Sequence, residues 1–84
     1  MRFAAQYIYA SGKLYPLHLV EIDEPNDSPN YRLYPLDKEY ADTTFYDGLI
    51  TVFPEKNTIR LFLFENMDVT NMKILPETDI TQLL

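Results

Sequence analysis

His18 is the sole histidine of the chain, and Glu21 and Asp23 follow it closely. An imidazole beside a carboxylate can work as a general base or hold a polar ligand. A base also needs a nucleophile and an orienting group. The serines are Ser11, in a turn beside Gly12, and Ser28, in front of Pro29. Neither has the strand–turn–helix context that exposes a nucleophile. His18 therefore reads first as a side chain packed in or beside a strand.

The carboxylates fall into two groups, Glu21, Asp23, Glu24, Asp27 and Asp37, Glu39, Asp42, Asp47. Neither has the spacing of a calcium loop. With one histidine and no cysteine, a structural zinc site lacks ligands. A paired-carboxylate hydrolase needs two acids about 5–9 Å apart in a cleft, and no spacing here places a pair so. Gly12 and Gly48 are the two glycines and stand far apart, so no phosphate-cradling loop is encoded. No metal or cofactor is expected, and no catalytic residue is assigned.

The tyrosines are the remaining candidates. All seven lie between Tyr7 and Tyr46. Tyrosine joins an apolar ring to a polar tip and is enriched in binding hot spots. Two of them stand in a repeated phrase: Lys13-Leu14-Tyr15-Pro16-Leu17 returns as Arg32-Leu33-Tyr34-Pro35-Leu36. Proline in an apolar, extended run belongs at a sheet edge or a bulge. The two copies are expected in equivalent places on a sheet, each proline where ladder bonds are lost. Tyr15, Tyr34, Tyr7 and Tyr9 are the candidate protein-interaction residues. Half-buried strands also use tyrosine routinely, so the enrichment alone discriminates weakly.

These side chains must be positioned by strands. Phe3 to Ala10 alternates, Ser11-Gly12-Lys13 is a turn, and Leu14 to Asp23 is a second strand. The parity of that strand breaks between Leu17/Leu19 and Val20/Ile22, which a bulge near Pro16 or burial on both faces would explain. Glu24 to Asn30 is a loop with two prolines. Tyr31 to Leu36 is a third strand. Phe45 or Gly48 opens a fourth that ends at Phe53. Thr58 to Glu65 is a fifth, with Ile59, Leu61 and Leu63 on one face and Phe62 and Phe64 on the other. Val69 to Leu75 reads as a sixth strand or a helical turn. Pro76 to Leu84 carries a helix-start pattern, with Ile80, Leu83 and Leu84 at helical spacing.

The expectation is a mostly β fold. It takes the form of a small half-open barrel or rolled antiparallel sheet of five to six strands, with a short C-terminal helix. A compact α+β arrangement is the alternative. The 84 residues read as one domain, residues 1–84.

Net charge −6 opposes binding to phosphate backbones and anionic bilayers. No run reaches the roughly 20 apolar residues of a membrane-crossing helix. The N-terminal apolar stretch is broken at Gln6, Ser11 and Lys13, so no targeting signal is read. Absent cysteine fits a reducing compartment, and the expected location is cytoplasmic. The functional expectation is a non-enzymatic interaction module, binding another protein or itself, a homodimer included. One alternative is an acidic inhibitor or antitoxin in a basic groove. Another is a small ligand-binding barrel or enzyme using His18 with a nearby carboxylate.

Overall fold

The apolar runs are rich in Val, Ile, Thr, Tyr and Phe, side chains that fill a pleated surface better than a helix. The computed structural model describes residues 1–84 and contains strands only: β1 (Arg2–Ala10), β2 (Lys13–Ile22), β3 (Tyr31–Pro35), β4 (Thr43–Pro54), β5 (Ile59–Glu65) and β6 (Asp79–Gln82). They form one six-stranded sheet in the order β3-β2-β1-β4-β5-β6. β1 and β2 make a hairpin whose turn residues Ser11 and Gly12 both have positive φ, 51° and 75°. That is the twist a two-residue hairpin demands. β4 and β5 make the second hairpin.

The sheet is mixed, not purely antiparallel. β4 runs parallel to β1, with Arg2 opposite Thr43. β2 already lies between β1 and β3, so the 36–42 connection must cross the sheet to reach the free side of β1. It arrives at the end where β1 starts, and the two strands therefore run the same way.

The expected C-terminal helix does not form, which also removes the α+β alternative. Residues 79–82 pair with β5, Phe64 opposite Ile80 and Phe62 opposite Gln82. A nine-residue helix is too short to offset its nucleation cost, whereas β5 offers an open ladder that needs partners. The 69–75 segment is neither strand nor helix. It folds back through a single bridge between Asp68 and Lys73.

Ala5, Ile8, Ala10, Val20, Ile22, Ile50, Val52, Ile59, Leu61 and Leu63 form the core. Ala5 and Ile8 are three apart, so strict alternation would put them on opposite faces. A local irregularity brings both inside. Leu17, across from this point in β2, has φ 50°, and β4 carries an extra residue against β1 between Ala5 and Tyr7. The bulge expected near Pro16 is not in β2, whose register with β1 steps evenly past that point; the inserted residue is in β4, and β2 changes parity at the positive φ of Leu17.

The sheet curls around this core without closing into a barrel. Tyr31 and Leu33 from one end and Leu83 and Leu84 from the other pack on the same cluster. The ends are joined by one side chain instead of a ladder. Asn26, in the β2–β3 loop, donates from Nδ2 to the Ile59 carbonyl at 2.8 Å and accepts the Ile59 N–H at 2.9 Å. It sits on the same edge of β5 that residues 83–84 cover at Leu61. Thr58 Oγ1 adds a bond to the Asn26 carbonyl at 3.1 Å.

Both repeated prolines sit where a missing N–H does little harm. Pro35 is the last residue of the outer strand β3, opposite His18. Pro16 lies beyond the stretch of β2 that β3 covers. The two copies are not equivalent, however. Tyr15 packs inward opposite Ile8, while Tyr34 pairs with Leu19 on the outer face. The irregularity at Leu17 lies in the first copy alone and reverses its parity.

Candidate interaction face

Cross-strand partners share a face, so the register maps the outer surface directly. One row runs Leu14–Tyr9–Thr51–Phe62–Gln82 and the next Pro16–Tyr7–Leu49–Phe64–Ile80. Phe53 stands beyond them, its ring edge-on to Phe62 at 5.7 Å and 76°. No helix covers this face. Phe53 is 49% exposed and Ile80 52%, with Tyr9 and Leu14 at 37% and 38%. None of these residues is charged. The charge at the margin, Arg60 opposite Phe53, is engaged by Glu55.

Of the four expected interaction residues, Tyr7 and Tyr9 lie in these rows. Tyr34 is on the same face but at the far end, beside Tyr40 with ring centroids 6.3 Å apart. Tyr15 is on the core side, its ring 5.1 Å from that of His18. The aromatic contribution of Phe53, Phe62 and Phe64 was not anticipated. Its signal was present in the Phe62/Phe64 alternation, since a strand apolar on both faces in a helix-free chain must leave one of them outside.

The opposite end of the outer face is ionic. Arg32, Glu21, Arg2 and Thr43 form one row across β3, β2, β1 and β4. Arg2 Nε donates to Glu21 Oε2 at 2.8 Å, and Arg32 Nε to Oε1 at 2.9 Å. Arg32 Nη2 reaches Asp23 Oδ1 at 2.6 Å, and Arg2 Nη1 reaches the Ala41 carbonyl at 2.9 Å. With Met1, Ile22, Glu24 and Asp42 these residues line an open depression of about 540 Å³. Each arginine there is already bonded to an acid, so the depression presents no unpaired guanidinium to a ligand.

His18 does not join these acids. It pairs with Ala5 and Pro35 across the sheet, whereas Glu21, three residues on, pairs with Arg2 and Arg32 and faces the other way. Its Nδ1 lies 2.8 Å from the Pro16 carbonyl. No three His, Asp or Glu side chains gather in a metal-holding group.

Hydrogen bonds from Arg2 and then Arg32 hold the Glu21 carboxyl below its ordinary value of 4.5. The lowered folded-state pKa means the pairing stabilises the fold above the ordinary carboxyl range. That contribution is lost as pH falls through the lowered value. Asp68 behaves likewise, lowered by hydrogen bonds from the Asn71 side chain and backbone. The urea midpoint should therefore drop on acidification, and Glu21→Gln should flatten that limb by removing one titrating group. Added salt should shrink the difference, because the pairs face solvent.

No helix is long and apolar enough to cross a membrane. Comparison with protein-family models, curated proteins and solved structures found no match for this chain.

Proposed function

We propose that this chain is a non-enzymatic interaction module that binds another protein through its outer aromatic face. One observation carries the proposal: Tyr9, Leu14, Phe53 and Ile80 stand exposed, in adjoining rows of a face that no helix covers. A contiguous apolar surface on a small domain marks an interaction site more often than chance. Aromatic residues flanked by polar ones make the anchors that dominate binding energy. The reading as an acidic inhibitor of a basic groove draws less support, because Glu21 and Asp23 are held by Arg2 and Arg32. The catalytic reading draws less still, since His18 faces away from Glu21.

The double variant Tyr9→Glu/Phe53→Glu tests the proposal. Both side chains are partly exposed, so the fold should survive, as far-UV circular dichroism would show. Partners captured by the wild type from its native extract should bind the variant at least about tenfold more weakly, as for loss of hot-spot anchors. Equal capture by both proteins would refute the assignment of this face.

A further inference from the structure

We propose that β6 is a self-pairing edge, and that two copies of the chain join antiparallel along Asp79–Gln82. The sheet has two outer strands, β3 and β6. They are not alike. β3 ends in Pro35, the hydroxyl of Tyr40 reaches the Pro35 carbonyl, and Arg32 is tied to Glu21 and Asp23. Proline, charge and a covering loop are devices that keep an edge from pairing. β6 has no proline, no glycine and one charge, and all its residues are exposed.

The backbone polarity of this edge follows from the ladder. The Leu83 N–H bonds the Leu61 carbonyl at 2.8 Å. Alternation then turns the Thr81 groups toward Leu63 and leaves the N–H and C=O of Ile80 and Gln82 pointing outward. Their spacing suits a twofold axis at Thr81. Ile80 then exchanges both its bonds with Gln82 of the second copy, and Thr81 meets Thr81, a favourable cross-strand pair. Asp79 falls opposite Leu83 of the second copy, so the two acids are kept apart. Asp79 is the one charge of the strand, so a net-acidic chain meets itself here with a single acid from each copy.

A second copy fits better than a foreign strand because the result closes. Joining β6 to β6 makes one continuous sheet whose outer strands are both β3, the blunted edge. A twofold assembly of this kind does not propagate. The pairing uses backbone groups and is independent of the aromatic face, so the two proposals can fail separately.

Sedimentation velocity from low micromolar to millimolar concentration tests it. The wild type should move from monomer mass to twice that mass. Gln82→Pro removes an outward donor and no β5 bond, so it should keep the fold and weaken association at least about tenfold. In the wild type, the Ile80 and Gln82 amides should exchange rapidly when dilute and gain protection with concentration, while Thr81 stays protected throughout. This exchange pattern decides the matter even if proline disturbs the strand. A monomer at every concentration would overturn the proposal. So would a dimer that leaves the Ile80 and Gln82 amides unprotected, or one lost in Tyr9→Glu/Phe53→Glu and kept in Gln82→Pro.

Discussion

Replacing Asn26 with alanine should destabilise the protein by about 2–4 kcal/mol, far more than expected for a loop residue. The side chain satisfies both backbone groups of Ile59, whose own side chain is 1% exposed. Alanine leaves a donor and an acceptor without partners in a half-buried setting, at about 1–3 kcal/mol each. A chain of this length has total stability of about 4–13 kcal/mol, so the loss is a large fraction. At about 4–8 °C per kcal/mol, Tm should fall by about 8–30 °C. Asn26→Asp separates bonding from shape. It keeps the volume and the acceptor for the Ile59 N–H, but sets a carboxylate against the Ile59 carbonyl. It should cost about as much as alanine at neutral pH and less in acid, where the carboxyl can donate. Urea unfolding of both variants checks this, and wild-type stability in Asn26→Ala would show that water replaces the amide.

Gly48→Val should be comparably damaging, by about 2–4 kcal/mol, for a steric reason. A Cβ at this position would lie 2.6 Å from the Phe64 carbonyl oxygen and 3.3 Å from Leu63 Cδ1. The first of these is backbone in the neighbouring strand and cannot swing aside. Gly48 lies in the stretch where β4 carries its extra residue against β1, so β5 approaches the missing side chain. Glycine in a strand interior commonly marks such an approach. Gly48→Ala should already show most of the loss, because the clash is made by Cβ itself. Thermal unfolding would distinguish this from Gly12→Ala, where no atom lies within 4 Å and the penalty arises from φ 75°.

The limits of the sequence show at particular residues. The strands from Phe3 to Ala10 and from Ile59 to Phe64 were legible because period-two burial is a local property, but the first keeps its alternation only as far as Ala5, after which Ile8 turns inward and Tyr7 and Tyr9 outward. The Ser11-Gly12 turn was legible because positive φ restricts the residue type. The parity break around Pro16 was visible, but not its consequence that Tyr15 turns inward while Tyr34 turns outward. Residues 76–84 were misleading. Proline, two acids and apolar residues at helical spacing look like a helix start, yet the open edge of β5 draws them into a strand.

Strand content and the net negative charge were determined by the sequence alone, because composition and short-range periodicity act within a few residues. The parallel placement of β4, the Asn26 bridge between the ends of the sheet and the outer aromatic rows were decided by the tertiary structure alone. These depend on which edges remain unpaired once the hairpins form. Asn26 and Ile59 are 33 residues apart in the chain, and only the curl of the sheet brings them together. The same holds for the face itself: Tyr9, Phe62 and Ile80 become neighbours through register, a property of paired strands and not of any one of them.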